Sequence, residues 1–354
     1  MSSYQDQHQK YVTLKTRELL QELPSFIFDF FRGLEHKTSA NTRMAYAYDV
    51  RIFFHYICEY IERFKTLTSI KEITLEQLEK ITPREIEMYL EYLSYYEVKQ
   101  DTTEEIIAHQ NGQNGKARKL ASIKTMYHYF YKQQLIMYNP TSIVDMPKIY
   151  EKPIIKLDVD EIAKLLDIVE SGEQLTEKQK CYHEFTKRRD LALIGVLLGT
   201  GIRVSECVGL NLEDIDFNYN GLKITRKGGN ETIVYFSEEV EKLLRDYITE
   251  RQTKTCKDAD QPLFLSMQNK RISVRSVQLL VKKYSSHVTS LKKITPHKLR
   301  ATYGTQLYQE TGDIYLVADV LGHKDVNTTR KHYAALDDQR RRMAASAVRL
   351  REDL

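Results

Sequence analysis

"LGTGIRVSECVGL", Leu198 to Leu210, cuts off the apolar run "LALIGVLL", which by itself reads as a buried helix. Glycines flank Thr200, and Arg203 follows almost at once. Glycine ends helices because it frees the backbone for conformations other residues avoid. Core packing does not ask for a permanent cation just past such a break. The stretch therefore predicts a core helix that stops at a charged site.

The surroundings extend that reading. "RDLALIGVLL" is apolar nearly all round and belongs in the core of its domain. Before it, "DVDEIAKLLDIVE" reads as a capped helix, and residues 171–189 read as a polar, charged insertion. After it, "LKITRKGGNETIVYF", residues 222–236, holds two β-rich runs around Lys227-Gly228-Gly229-Asn230, which is hairpin chemistry. Helices resume over 237–250, 272–287 and 296–310.

The N-terminal half is helical. In residues 39–64, Tyr46, Val50, Phe53, Ile57, Tyr60 and Phe64 fall on one helical face, with Ser39 or Asn41 as cap. A second helix is expected over 83–97, with Pro83 in its first turn. A third, 116–137, is basic in its first half (Lys116, Arg118, Lys119, Lys124) and lines up Ile123, Met126, Tyr127 and Phe130 on one side. The polar stretch "EVKQDTTEEIIAHQNGQNG" between these two helices reads as a mobile loop. Prolines 140, 147 and 153 stiffen "YNPTSIVDMPKIYEKPIIKLD" and set a boundary near residue 150. Two domains follow, 1–150 and 151–354. The fold class is mainly α: a helical bundle, then a mixed α/β domain with a small antiparallel sheet.

Composition excludes several classes. At 42% hydrophobic and 29% charged, with no apolar run as long as a membrane span, the chain reads as a soluble protein without a membrane partner. "MSSYQDQHQK" has no apolar signal core, so the expected location is cytoplasmic. Cys58, Cys181, Cys207 and Cys256 show no paired spacing, against both disulfides and a zinc site. The net charge of +4 points only weakly to a polyanion. Tyrosine is abundant at 24, and composition offers no reason for it.

Several separated positions remain. Arg203 follows the glycine break and Lys227 sits in the hairpin turn. "TPHKLRATYGTQL" places His297 and Arg300 three apart at a helix start, and "LGHKDVNTTRKHY" places Tyr333 ten residues after His323. Taken singly, each has an ordinary structural explanation. Taken in order, they resemble the tyrosine recombinase, or phage-integrase, family. "GTGIRVSECVGLNLEDID" is similar to its first signature, "RKGGNE" to its lysine hairpin, and the last two stretches to its HxLR box and its nucleophile box. The likeness is strong over roughly 154–345 and looser in the N-terminal half, through "NTRMAYAYDVRIFF" and the "NP" at 139–140. The whole chain is most similar to single-chain Xer recombinases. Ala301 stands where the family often has histidine.

The resemblance implies a helical DNA-binding domain, a catalytic domain and no cofactor. Arg203 and Arg300 are then phosphate clamps, since a forked, always-charged guanidinium suits charge growing on non-bridging oxygens. Tyr333 is the nucleophile that forms a 3′-phosphotyrosine, with His297 as its base. Lys227 is the acid for the leaving 5′-oxygen, and His323 hydrogen-bonds a phosphate oxygen. On this reading the glycines around Thr200 admit the DNA backbone, and the helix start after Arg203 points N–H groups at the phosphate. Lys116, Arg118, Lys119 and Lys124 are candidate DNA contacts. A metal site built on His297, His323 and His332 matches no ligand spacing. The implied partners are a duplex recombination site with two inverted arms, a homotetramer on synapsed DNA, and a septal DNA translocase as candidate activator. The implied role is resolution of chromosome dimers at a terminus site, with integrase or transposase of a mobile element as the alternative. A type IB topoisomerase and an inactive DNA-binding regulator are further rivals. In residues 337–354, Met343, Ala347, Leu350 and Leu354 form an apolar stripe, which packs on its own domain as terminal helices commonly do or, as the resemblance implies, belongs to a helix donated to a neighbouring subunit.

Overall fold

A computed structural model describes residues 4–99, 106–150, 154–226, 229–258, 260–323 and 325–326. The chain divides into two compact units between Glu151 and Lys152. Among the described residues, no helix is long and apolar enough to cross a membrane.

The first unit holds α1 (Tyr4–Leu20), α2 (Ile27–Leu34), α3 (Ala40–Tyr60), α4 (Leu75–Glu79), α5 (Pro83–Tyr92), the hairpin β1 (Tyr96–Lys99) and β2 (Ile106–His109), and α6 (Gln113–Lys132). Ser39 caps α3 by accepting from the Thr42 N–H, as its place before the apolar face predicts. Thr82 and Glu85 form a capping box at α5 with Pro83 in its first turn. The core closes where Val50, Phe53 and Ile57 of α3 meet Leu120, Ile123, Tyr127 and Phe130 of α6, all fully buried. One expectation needs correction. The helix read over 83–97 ends at Tyr92, and part of the stretch read as a loop is paired strand, Tyr96 opposite His109 through Lys99 opposite Ile106. The reason is aromatic. Tyr96 stacks between Tyr92 and His109, each centroid 5.1 Å away, which fixes the register of a hairpin whose composition is mostly polar. Tyr56, Tyr60, Tyr89, Tyr92 and Tyr96 form a ladder of ring contacts here, which accounts for part of the tyrosine excess.

The second unit holds α7 (Val159–Ser171), α8 (Glu177–Thr200), α9 (Val204–Gly209), a sheet of β3 (Ile215–Asp216), β4 (Gly221–Thr225) and β5 (Glu231–Tyr235), then α10 (Glu238–Arg251), α11 (Val274–Val288), α12 (Pro296–Thr311) and α13 (Ile314–Leu321). The sheet is antiparallel in the order β3-β4-β5, with Gly221 opposite Tyr235 and Thr225 opposite Glu231. The predicted hairpin thus forms and gains a short third strand. The predicted polar insertion does not. Residues 177–189 are the first half of α8, started by a Thr176–Gln179 capping box. They are polar because they lie mostly on the surface, while His183 turns inward and its Nε2 lies 2.8 Å from the Val169 carbonyl. The second half of α8 is the axis of the core, with Ala192, Leu193, Ile194, Val196 and Leu197 fully buried. Asp190, 1% exposed, is held by Arg189 at 2.6 Å and by the Tyr284 hydroxyl at 2.8 Å, which pins α11 to α8.

Candidate active site

The site is built at the end of α8. Gly201, at φ 64°, caps the helix in the left-handed conformation. A Cβ on Gly201 would lie 2.3 Å from the Tyr303 ring and 3.0 Å from Leu321, and one on Gly199 would lie 2.5 Å from Val240. The glycines therefore admit protein rather than a DNA backbone: α10 closes on Gly199, and α12 and α13 close on Gly201. That corrects the first reading of the break. At the helix start after it, the N–H of the N-cap residue Arg203 donates to the Glu206 carboxylate at 2.7 Å.

Arg203 sits at the N-cap of α9, half-buried, with Nη1 on Glu206 Oε1 at 2.8 Å and Nη2 on the Gly322 carbonyl at 3.3 Å. Arg300, one turn into α12 and 4% exposed, donates from Nη1 to the Gly201 carbonyl at 2.6 Å and from Nη2 to the Leu321 carbonyl. Arg226, at the end of β4, donates from Nη1 to the Asp319 carbonyl at 3.1 Å and from Nη2 to the Val320 carbonyl at 2.8 Å. Three guanidiniums from distant parts of the chain thus take four consecutive carbonyls, 319 to 322, at the end of α13. The physical cause is general. A helix leaves its last carbonyls unpaired and carries partial negative charge there, which favours cations. Gly322, at φ 62°, makes room, since a Cβ there would lie 1.8 Å from Arg226 Nη1. His323 follows directly, its N–H on the Ala318 carbonyl at 2.9 Å. His297 is exposed at the start of α12, three residues before Arg300.

Of the predicted catalytic residues, the structure brings Arg203, Arg300 and His323 together around the end of α13 and places His297 one turn from Arg300. Lys227, Tyr333 and the 337–354 stripe lie outside the described residues. The chain closes on either side of Lys227, with Arg226 N–H on the Asn230 carbonyl at 2.8 Å. Three residues were missed from sequence. Glu206 has the spacing of a capping partner to Arg203, Arg226 lies inside the quoted "RKGGNE", and Gly322 lies inside "LGH". Each had a signal, but only the fold shows what it touches.

The predicted basic face of α6 fares differently. Arg118 grips Asp49 with two hydrogen bonds, at 2.6 and 2.7 Å, and keeps half its side chain exposed. Lys116 donates to Ser94 Oγ at 2.6 Å and Lys124 to the Val144 carbonyl at 2.5 Å. Lys119 is 6% exposed against Asn111, where burial lowers its pKa, so the structure makes it an interior residue and not a surface charge. Among the described residues, no three His, Cys, Asp or Glu side chains gather as a metal site would need.

Comparison with known proteins agrees with this architecture. The phage integrase family profile matches residues 156–340. The tyrosine recombinase XerC of Caldanaerobacter subterraneus subsp. tengcongensis is 33% identical over 318 residues, covering 87% of this chain and 81% of that protein. The tyrosine recombinase XerD of Staphylococcus saprophyticus subsp. saprophyticus is 26% identical, covering 88% of this chain and 94% of its own. Among solved structures, the XerH site-specific recombinase bound to its difH substrate superposes with a TM-score of 0.58 at 21% identity, covering 87% of this chain and 78% of that one. The Tn1549 transposon integrase in complex with transposon right end DNA superposes at 0.62 and 18% identity, covering 90% and 98%. At those identities the two structures speak to the fold alone. With the profile spanning more than half the chain, and arginines from its separate motifs meeting at one helix end, this protein belongs to the phage integrase family of tyrosine recombinases.

Proposed function

We propose that this protein is a site-specific DNA recombinase that cuts and rejoins duplex DNA through a 3′-phosphotyrosine, and that it resolves chromosome dimers at a terminus site. The observation that carries the chemistry is the meeting of Arg203 and Arg300 on the adjacent carbonyls of Gly322 and Leu321, beside His323. A phosphodiester oxygen presents these guanidiniums with the same kind of acceptor and a full negative charge. In the proposed step the Tyr333 oxygen bonds to phosphorus while the bond to the 5′-oxygen breaks. His297 takes the phenol proton and Lys227 supplies one to the departing oxygen. His323 hydrogen-bonds a phosphate oxygen. Rejoining is the reverse, and the phosphotyrosine conserves the bond energy, so neither ATP nor metal is required.

The names of the relatives, XerC and XerD, favour the chromosomal role over the mobile-element role. The same reading carries the remaining proposals. The residues before 151 form a DNA-binding domain and the rest the catalytic domain; Lys116, Arg118 and Lys124 reach the duplex; four protomers synapse two sites with inverted arms, each donating its last helix to a neighbour; a septal translocase activates them; and the protein works in the cytoplasm.

A nicked duplex that traps the covalent adduct tests the chemistry. Wild type should give a protein–DNA band on a denaturing gel, and Tyr333→Phe should bind the duplex and give none. An adduct that survives in Tyr333→Phe removes Tyr333 from its role. Sequencing the DNA crosslinked in cells separates one terminus-proximal site from sites at element ends.

A further inference from the structure

We propose that Arg226 is a positioning residue for strand cleavage: it latches the end of β4 to the end of α13 and so fixes the point of the chain from which the proposed acid Lys227 follows. The inference rests on the recombinase reading above. β3 pairs only with Gly221 and Leu222, so beyond them the hairpin is a two-stranded ribbon. Such ribbons are marginal by themselves. Ile224 and Val234 pack one face of it, while Gly229 and Asn230 beyond them are exposed. At the base of that turn Arg226 spans two successive carbonyls of α13, and the missing Cβ of Gly322 is what lets it approach. The same helix end receives Arg203 and Arg300 and leads into His323. The latch therefore ties the strand end just before the lysine to the same helix end as the phosphate clamps. Arg226 uses two of its nitrogens, while its Nε is buried without a hydrogen-bond partner. The Asp319 carbonyl also accepts from the Gly322 N–H at 2.8 Å, so losing the guanidinium does not strip that acceptor. Arg226→Ala is accordingly expected to fold.

The leaving group separates a latch from a mere brace. Lys227 serves only to give a proton to the 5′-oxygen. A 5′-sulfur in its place leaves as a thiolate, whose thiol pKa is about 8.5, and needs no proton. Single-turnover cleavage is measured on nicked duplexes carrying 5′-oxygen or 5′-sulfur at the scissile bond, with Arg226→Ala, Arg226→Lys, Lys227→Ala and the Arg226→Ala/Lys227→Ala double variant. Arg226→Ala should lose roughly 10²-fold on oxygen and stay within a few-fold of wild type on sulfur. The double variant should be no slower than Lys227→Ala. Arg226→Lys, whose single ammonium cannot span both carbonyls, should show the same substrate dependence to a smaller degree, and it carries the test if the alanine variant unfolds. Equal losses on both substrates, or no loss on oxygen, overturn the latch while Lys227→Ala still behaves as an acid knockout. A wild type that forms no adduct, or a Lys227→Ala variant that cleaves oxygen normally, overturns the recombinase reading and the latch with it.

Discussion

Replacing Arg118 by methionine should damage the first unit more than it damages DNA binding. Asp49 is completely buried in α3, and the two Arg118 bonds at 2.6 and 2.7 Å reach its carboxylate from α6. Removing one member of a buried pair typically costs about 3–5 kcal/mol, because the other charge is left in the interior. Half of Arg118 already faces water, and Asp49 can take a proton instead of remaining charged, so we expect the lower end, about 3 kcal/mol at pH 7. Burial raises the Asp49 pKa above its ordinary 3.8, and the charges of Arg118 and Lys119 pull it only part of the way back. The folded protein thus holds that proton more tightly than the unfolded chain. The group favours folding at low pH, and its contribution is lost as pH rises from about 3.8 through the folded value. Without Arg118 that window extends to higher pH, so the variant should lie closest to wild type at pH 5 and furthest at pH 7. Native-state hydrogen exchange at α3 and α6 amides reads this unit apart from the other. Adding Asp49→Asn should recover most of the loss. In that restored double variant, binding measured against salt tests the phosphate contact: its loss should lower the log–log slope by about 0.9. An Arg118→Met protein within about 0.5 kcal/mol of wild type, or equally weakened at both pH values, would refute the account of the pair.

Two further perturbations address the active site. Arg203→Lys keeps the charge but cannot hold Glu206 and a phosphate oxygen together, so adduct formation should fall roughly 10²-fold or more while duplex affinity barely changes; near-normal cleavage would make Arg203 structural. Gly201→Ala places a Cβ 2.3 Å from the Tyr303 ring in a left-handed backbone. It should lose at least about 2 kcal/mol in thermal unfolding, with Tyr303→Ala recovering the clash but not the backbone strain of about 1–2 kcal/mol; full recovery would show that the strain is negligible.

Much of this protein is written locally. The capping positions Ser39 and Pro83, the apolar face of α3, the turn residues of the β4–β5 hairpin and the order of the motifs are all short-range patterns, and they led to the helical class, the small sheet and the family. Local patterning also misled in two places. The first half of α8 is polar because it is exposed, and polarity concealed a continuous helix behind its own capping box. The β1–β2 hairpin is held by Tyr96 stacked between Tyr92 and His109, a contact that no composition window registers.

What the tertiary structure alone decided is the partner of each charge and each glycine. Arg118 reads as a DNA contact in a basic run, and the fold also makes it the partner of an aspartate 69 positions earlier. Gly199 and Gly201 read as an opening for DNA, yet they make room for Val240, Tyr303 and Leu321. Arg203, Arg226 and Arg300 lie far apart in sequence and meet on four carbonyls of one helix end. The physical reason is range. Helix period, capping and turn chemistry are set by residues a few positions apart, and so they survive in the sequence as patterns. A guanidinium is satisfied by whichever acceptors the packed core delivers to it, and that delivery depends on α8, α12 and α13 being closed on one another.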